Sequence, residues 1–475
     1  MKKLFFAGLL CITFTASASD DIQQLKEELK KQQEIINQLQ EKVKELQKQQ
    51  EITEETKQKL NQLHQSQIDK LLSNPFSQAK FVPDISLIMD FSYVSRNLTD
   101  VTYKAVNIPG FNHGLFHSHG GNSEAPYNAE RGFNFNYSEL YISQAVDPYF
   151  DLVGIFHLGE GSFEIDEGYF RTKSLPFNLQ LKGGKFYSKF GRLNEQHHHV
   201  WDFVDAPLIY RAVFGEHNLL EKGAQLTWLA PTPFYLMFGV EVFQGDNENN
   251  FNRNGFLVPN TNPINTTPTD YLKISDTKKP NLYTFFIKPS FDIGNLSILG
   301  GFSYAEGKTR IDHLEDETPH ALTGTTKIYG LDLTVRYSID SYRYITWQSE
   351  YIHRNFDGVR YGYDNANNLI TSFLDKKQAG FYSQLVYKFD QRWRVGARYD
   401  LINKNDVFVN NTDSNQPDNL YKYSFMIDFL PSEFSRIRLQ YNCDRSLFLD
   451  GERKPNNEII LQFNMAIGAH GAHGF

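Results

Sequence analysis

The sequence predicts an all-β transmembrane barrel of about 16 antiparallel strands, preceded by an α-helical coiled coil. Three observations predict it: an export signal at the N-terminus, a heptad-patterned segment behind it, and short runs of alternating apolar and polar residues through the rest of the chain. Period two indicates β-strands, whereas apolar spacings of three and four indicate paired helices. We therefore expect a signal peptide at 1–18, a periplasmic coiled coil at 19–73 and an outer-membrane β-barrel at 74–475.

The first residues have the three parts of a secretory signal peptide. Two lysines supply a positive head, the segment from Leu4 to Phe14 is a short apolar core, and Ala-Ser-Ala at 16–18 is a small-residue cleavage motif. This apolar core is too short to remain as a membrane-spanning helix. Cleavage would leave Cys443 as the one cysteine, which excludes an internal disulfide.

Charge and motif content narrow the classes of function. The chain has 48 Lys and Arg against 56 Asp and Glu, a net charge of −8, so it lacks the basic excess of nucleic-acid-binding proteins. It contains no G-x-S-x-G elbow and no H-E-x-x-H motif, and histidine beside aspartate without a nucleophile is weak evidence of catalysis. We therefore expect neither an enzyme nor a nucleic-acid partner.

Residues 21–72 form a heptad pattern without Gly or Pro. Such a seam favours association of helices, with a single solvated helix as the alternative. Oligomerisation follows from the seam, but its order does not. At about 1.5 Å per residue the helix would extend roughly 80 Å, far enough to approach the cell wall. The predicted coiled-coil core residues are Ile22, Leu25, Leu29, Ile36, Leu39, Val43 and Leu46.

From residue 74 onwards, apolar and polar residues alternate. In YKYSFMIDF, Tyr423, Phe425 and Ile427 share one face, opposite Ser424 and Asp428. A sandwich would bury the apolar face, whereas a membrane barrel turns it towards lipid and the polar face towards water. The connections alternate short and long, as in outer-membrane barrels. The predicted strands lie near 82–96, 133–146, 149–160, 163–174, 178–187, 223–230, 234–245, 281–292, 295–306, 325–338, 343–354, 378–389, 392–402, 420–430, 433–444 and 459–469.

The polar faces of the later strands carry arginines. Guanidinium pairs with phosphate through two donors, which favours a lumen that prefers anions. Acids on the same faces favour the alternative, in which these residues form salt bridges within the wall. The predicted pore-lining residues are Asp332, Arg336, Arg394, Arg398, Asp428, Arg436 and Arg438.

The long connection at 188–222 contains GRLNEQHHHVWDFVDAP. Its length favours a functional or disordered loop, and its aromatic residues argue against disorder. We expect it to fold into or over the lumen as a charged constriction, since narrow charged rings sort ions. A packed loop whose polar groups satisfy one another is the alternative. The predicted constriction residues are Arg192, Glu195, His197, His198, His199, Asp202, Asp205 and Arg211.

Histidines also gather in FNHGLFHSHGG, at His113, His117 and His119. Imidazole is a common zinc ligand, and the glycines would let this loop fold round an ion. These residues are therefore a candidate zinc site, with a flexible polar loop as the alternative. Apart from this candidate zinc, the sequence predicts no cofactor.

In the order of its parts the chain resembles the phosphate-selective porin (O and P) superfamily, in which a periplasmic coiled coil precedes a trimeric barrel. A closer local likeness is to a bacterial outer-membrane family named zinc-regulated TonB-dependent outer-membrane receptor. That likeness is carried by IPGF at 108–111, SELYISQAVDPYFD at 138–151, EGYFRTKSLPFNLQLKGGKFYSKFGRLNEQHHHVWDFVDAPL at 167–208, GAQLTWLAPT at 223–232 and the terminal GAHGAHGF. The resemblance implies a homotrimer in the bacterial outer membrane.

The receptor name fits this chain poorly. A TonB-dependent receptor has about 22 strands and a plugged lumen, and residues 74–475 leave no room for either. The sequence therefore predicts a porin, embedded in outer-membrane lipid, through which small hydrophilic solutes or ions diffuse passively. Two alternatives stay open: a zinc-acquisition protein, and a structural protein whose coiled coil links the outer membrane to the cell wall.

Overall fold

The computed structural model describes residues 82–111, 127–159, 163–215, 217–247, 249–316 and 318–468, together with seven isolated positions between 30 and 42. The chain divides into two compact units, Met1–Val82 and Pro83–Phe475. In the first unit the seven described positions are helical and exposed. The predicted signal peptide and all seven predicted coiled-coil core residues lie outside the described residues, so the coiled coil stays a prediction.

Sixteen antiparallel strands form a closed barrel in the second unit. Each strand pairs with the next along the chain, and the last pairs with the first in a register that joins Ser86 to Gly468. This confirms the predicted barrel and its number of strands. The barrel strands are β1 (Asp84–Arg96), β2 (Gly132–Ala145), β3 (Phe150–Leu158), β4 (Phe163–Thr172), β5 (Leu179–Tyr187), β6 (Leu220–Leu229), β7 (Tyr235–Phe243), β8 (Leu282–Ile293), β9 (Leu296–His313), β10 (His320–Ser338), β11 (Tyr344–Tyr363), β12 (Leu369–Lys388), β13 (Trp393–Val409), β14 (Leu420–Ser432), β15 (Ser435–Asp444) and β16 (Asn456–Gly468).

The two faces of the wall differ as the alternation predicts. On β14, Tyr423, Phe425 and Ile427 are 41%, 54% and 38% exposed, whereas Ser424 and Asp428 are fully buried. The apolar face therefore points outwards and the polar face inwards, which excludes a sandwich. Aromatic side chains stack across neighbouring outer positions, as Tyr399 does on Tyr423 with ring centroids 4.9 Å apart. Cross-strand pairs of this kind stabilise a sheet by roughly 0.2–1 kcal/mol each.

Strands β9 to β13 are the longest, with 17 to 20 residues each. The predicted ends of these strands are wrong: the sequence leaves 307–324 and 355–377 between predicted strands, yet most of those residues belong to strands. The physical reason is that the strands extend beyond the length that needs an apolar outer face. Their ends carry polar residues on both faces, and such a pattern resembles a loop in the sequence. The remaining connections are short, at 314–319 and 364–368.

Two short α-helices lie in the connections, α1 (Asp100–Ala105) and α2 (Leu208–Phe214). Thr99 caps α1, because its hydroxyl accepts a hydrogen bond from the N–H of Thr102. Helix α2 ends at Gly215, whose φ of +84° suits glycine. Among the described residues, no helix has the length and apolar character needed to cross a membrane.

The main apolar core lies inside the barrel. Val106, Ile108 and Phe111 from the β1–β2 connection pack there with α2, against inward side chains of the wall such as Ile328 and Ile352. The sequence predicts water at this place, because most inward positions of the strands are polar. The difference arises because several connections fold inwards and bring their own apolar residues, including Phe251 between β7 and β8 and Leu447 between β15 and β16. These residues need apolar partners on the wall.

Candidate functional site

The connection between β5 and β6 crosses the interior of the barrel. It comprises residues 188–219 and is called the lumen loop below. The loop meets β11 near its start and β13 to β15 near its middle. In a ring of sixteen strands, β13 is the strand opposite β5, so the loop spans the full width of the lumen. The structure places this segment inside the barrel, and its role as a charged constriction stays a prediction.

The near end of the lumen loop is held by one carboxylate of the wall. Glu350 on β11 is buried and accepts hydrogen bonds from the N–H of Arg192 at 2.8 Å and of Leu193 at 3.0 Å. It also accepts from the hydroxyl of Tyr210 in α2 at 2.7 Å. Gly191 has a φ of +63°, and a Cβ there would collide with both Tyr210 and Glu350. Only glycine therefore lets the chain pass this close to the wall.

Asp205, in the middle of the loop, binds the loop to the opposite wall. Its carboxylate accepts hydrogen bonds from Lys422 on β14 and, at 2.6 Å, from Gln440 on β15. Arg398 on β13 donates to the Asp205 carbonyl at 2.8 Å, and the N–H of Leu208 donates to Asp400 at 2.9 Å. Cations of the wall are thus matched by an anion on the loop. This pairing fixes the loop across the lumen.

The predicted pore-lining arginines on β13 and β15 face inwards and are engaged by the loop and by acids. Arg394 binds Asp202 and Asp428, each at 2.7 Å. Arg438 forms a two-pronged pair with Asp428 at 2.7 and 2.9 Å. Arg436 donates to the carbonyl of His199 at 2.9 Å. The contacts of Arg394 and Arg438 are those of the salt-bridge alternative, whereas Arg436 binds a backbone carbonyl.

The other two predicted pore-lining residues lie away from the loop's centre. Asp332 on β10 pairs with Lys288 on β8 at 2.9 Å, and Lys288 also donates to the carbonyl of Gly191 at 2.6 Å. Arg336, also on β10, lies over the ring of Tyr344 at 4.0 Å. The seven predicted residues therefore do not form one continuous charged ring.

Helix α2 fills the centre of the lumen with apolar side chains. All its residues except Arg211 are buried. Phe214 packs edge-on against Phe190 with ring centroids 5.4 Å apart, and Tyr210 against Tyr382 at 6.3 Å. Arg211, a predicted constriction residue, is half-buried at the last turn of the helix. The loop and α2 thus occupy the centre of the lumen.

Two of the predicted constriction residues, Arg192 and Glu195, lie close together near the start of the loop. Glu195 binds Lys189 at 2.6 Å and lies 3.9 Å from Arg192. Burial would raise the pKa of Glu195, but the Lys189 ammonium lowers it to about 2. This part of the loop therefore carries a fixed carboxylate.

The three consecutive histidines have three different environments. His197 bridges Glu139 on β2, at 3.0 Å from Nδ1, and Glu167 on β4, at 2.8 Å from Nε2. Burial would lower the pKa of His197, but these carboxylates hold it well above its usual value. His198 packs edge-on against Trp201 at 4.2 Å, and burial lowers its pKa well below the usual value. His199 is buried with Nδ1 3.6 Å from Glu139.

The wall residues that receive the loop are those that sequence reasoning missed. They are Glu350 near the start of the loop, Asp400, Lys422 and Gln440 on the opposite wall, and Glu139, His157, Asp166 and Glu167 near the histidines. A usable signal exists for most of them, because charged residues at inward positions of strands need partners. What hides the signal is that no pattern shows which loop supplies the partner. His113, His117 and His119 lie outside the described residues, so that candidate zinc site stays a prediction.

The charge state of Asp205 gives a testable pH dependence. Burial raises the pKa of Asp205. The cations of Lys422 and Arg398 lower it by more, so the pKa lies well below the ordinary value of 3.8. A group with a lowered folded pKa stabilises the fold above its unfolded pKa and loses that effect as the pH falls through the folded value. The charged groups that face the Asp205 carboxylate are Lys422, Arg398 and Asp400. We therefore expect the loop to resist limited proteolysis from neutral pH down through the range of ordinary aspartate pKa values.

The matched variant is Asp205→Ala, which should make the loop cleavable already at neutral pH. Wild type that becomes cleavable as the pH enters the ordinary aspartate range would contradict the lowered pKa. An Asp205→Ala variant as resistant as wild type would show that Asp205 does not hold the loop.

Comparison with family models found no match. Over 403 residues the chain is 51% identical to an uncharacterized protein of Aquifex aeolicus (strain VF5), and the match covers 85% of this chain and 82% of that protein.

Several solved outer-membrane proteins have a similar outline. They include outer-membrane expressed OmpT of Vibrio cholerae (9% identity, TM-score 0.47, covering 81% of this chain and 97% of that one). An anion-selective porin from Comamonas acidovorans is 8% identical (TM-score 0.46, 81% and 99%), and the outer membrane channel DcaP of Acinetobacter baumannii is 11% identical (TM-score 0.42, 81% and 96%). TM-scores below 0.5 are too low to carry an argument, and the barrel is established by the strand pairing of this chain itself.

Proposed function

We propose that this chain, which belongs to the same family as the uncharacterized Aquifex aeolicus protein, is an outer-membrane channel of the porin type. Its solutes are small and hydrophilic, or are ions, and they cross by passive diffusion. The closed strand ring supports this assignment, because it leaves no unpaired strand edge to lipid. The apolar outer face and polar inner face of the wall support it too.

The observation that carries the proposal is the lumen loop inside a closed barrel. A barrel of sixteen strands is wide enough for an aqueous channel. Here the loop crosses that space and is tied to the wall by Glu350 near its start and Asp205 near its middle. The free passage therefore runs beside the loop, and the loop sets its width.

Planar-bilayer recording of the purified full-length protein tests this function. We expect discrete conductance steps, smaller than an unobstructed barrel of sixteen strands would give, because the loop and α2 occupy the lumen. Inserted protein can be counted independently by recovering it from the bilayer lipid or from matched liposomes. Inserted protein that gives no conductance steps at any applied voltage would contradict a channel.

The preference for anions and the trimer are the finer parts of the proposal. Inward arginines on β13 and β15 support an anion preference, and their pairing with Asp202 and Asp428 weakens it. Under a salt gradient we expect the reversal potential to shift towards the equilibrium potential of the anion. A shift towards the equilibrium potential of the cation would contradict the preference. Light scattering of the detergent-solubilised protein measures its mass and tests the trimer.

A further inference from the structure

A cluster of acids and histidines joins the lumen loop to the wall on β2 to β4. Glu139 on β2 and His157 on β3 are direct cross-strand partners. Asp166 lies on the next strand, β4, and His197 on the loop reaches the same point. Glu139, His157 and Asp166 are buried, and His197 is half-buried. Three strands and one loop thus bring four metal-ligating side chains together inside the barrel.

A β-bulge places the acids of β4. In the pairing of β3 with β4, Ile155 is opposite Glu167 and Phe156 is opposite Ile165, so Asp166 is an extra residue. Consecutive residues of a regular strand point to opposite faces, yet Asp166 and Glu167 are both 6% exposed. The bulge therefore turns two adjacent carboxylates inwards. Bulges often redirect side chains in this way beside functional sites.

The spacing of the four ligand atoms fits one small cation. His197 Nδ1 lies 3.0 Å from Glu139 Oε2 and 3.5 Å from Asp166 Oδ2. His157 Nε2 lies 3.4 Å from Glu139 Oε2 and 3.7 Å from Asp166 Oδ2. All four atoms are within 4.8 Å of one another. Ligands about 2.0–2.2 Å from a tetrahedral Zn²⁺ are roughly 3.3–3.6 Å apart.

The surrounding groups hold these ligands as the outer partners of a metal site would. The second ring nitrogen of His197 is 2.8 Å from Glu167 Oε1, the carboxylate–histidine arrangement that orients metal-binding imidazoles. Asp166 Oδ1 accepts a hydrogen bond from the hydroxyl of Tyr187 at 3.2 Å. Glu167 Oε2 accepts from the N–H of Tyr187 at 3.0 Å. His197 and Asp166 are thus each fixed on the side that faces away from the common point.

One ligand atom points into the cluster without a hydrogen bond. Asp166 Oδ2 is buried and has no hydrogen-bond partner within the described part of the chain. The same holds for Nδ1 of His199, which lies 3.6 Å from Glu139. Three buried carboxylates, those of Glu139, Asp166 and Glu167, also need positive charge nearby. A divalent cation at the common point would supply both the missing partner and the charge.

We propose that Glu139, His157, Asp166 and His197 form a binding site for a divalent transition-metal cation that accepts mixed imidazole and carboxylate ligands, of which Zn²⁺ is the best match. The site goes beyond the channel proposal and does not depend on it. Because three ligands belong to the wall and one to the lumen loop, the bound cation ties the loop to β2–β4. None of its four ligands is among the histidines at 113, 117 and 119.

Metal titration of the chelator-stripped, full-length protein in detergent tests the site. Equilibrium dialysis with Zn²⁺ should show one tightly bound ion per chain that depends on these ligands. Asp166→Asn and Glu139→Gln keep side-chain size, and each should weaken binding more than about 100-fold, beyond the roughly 10–100-fold that loss of an outer partner costs. Glu167→Gln, which alters a positioning residue, should fall within that smaller range.

Two controls decide between this site and others. Asp151→Asn makes the same chemical change on β3 in an exposed ion pair, and it should bind Zn²⁺ as wild type does. The triple variant His113→Ala, His117→Ala, His119→Ala should also bind normally. Binding that survives Asp166→Asn, or is lost only in the triple variant, would overturn the proposal.

A second measurement needs wild type alone and so does not depend on the folding of any variant. Co²⁺ bound at a tetrahedral site with nitrogen and oxygen ligands should give intense visible absorption that Zn²⁺ displaces. Wild type that shows neither this absorption nor bound Zn²⁺ would mean that protonated histidines alone neutralise the carboxylates, and the metal site would be rejected.

Discussion

Removal of the lumen loop is expected to raise the single-channel conductance several-fold. The loop's ends can be joined, because the N–H of Ser188 donates to the carbonyl of Leu219 at 3.0 Å. A short Gly-Ser turn can therefore replace residues 190–217. The wall itself is untouched, and the arginines that the loop engages would become solvated by the water that replaces it. The measurement is single-channel recording of this variant beside wild type.

A matched deletion at the rim provides the control. Residues 260–270 connect two short paired strands, Phe256–Pro259 and Tyr271–Ile274, so this tip can be shortened in the same manner. Its loss should leave the conductance near that of wild type. A folded lumen-loop variant with wild-type conductance would show that the loop does not restrict the passage. The folded state of both variants is checked by their heat-modifiable mobility in detergent gels.

Asp428→Asn is expected to lower the free energy of unfolding by about 3–5 kcal/mol, the range for removing one partner of a buried ion pair. Asp428 and Arg438 are both fully buried, and Arg394 shares the same carboxylate at 2.7 Å. The neutral amide would leave the buried guanidinium of Arg438 without its counter-charge, and Arg394 would keep Asp202 as its carboxylate partner. Denaturant titration in detergent measures the loss.

The control for this variant is Glu306→Gln. Glu306 pairs with Lys327 at 3.7 Å, and both side chains are more than 40% exposed. Exposed pairs of this kind contribute little, so stability should hardly change. An equal loss in the two variants would show that burial of the Asp428 pairs does not set their strength.

The barrel could be predicted from the sequence because its pattern is local. Alternation such as that of Tyr423, Phe425 and Ile427 follows from one strand lying between lipid and water, and needs no knowledge of distant residues. The inward fold of the lumen loop was also accessible, since aromatic residues such as Trp201 in a long connection need a place to be buried. The ends of β9 to β13 were missed, because beyond the lipid the constraint on their outer face disappears.

The detailed site could not be predicted, because it depends on contacts between distant segments. Nothing near Glu350 in the sequence indicates that it holds the backbone of Arg192 and Leu193. The bulge at Asp166 is equally hidden, since period-two reasoning assigns Asp166 and Glu167 to opposite faces. The His197 partners on β2 and β4 become visible only when the loop and the wall are seen together.

The unequal strand lengths have a consequence for what the molecule presents to its surroundings. A tilted strand of about 9–11 residues crosses the hydrocarbon layer, and β3 has 9 residues whereas β11 and β12 have 20 each. At about 3.3 Å per residue and a tilt near 45°, the surplus raises one flank by roughly 20 Å. In an outer membrane this taller flank of the barrel projects on the side that carries the long connections, so the mouth of the barrel is higher on one side than on the other.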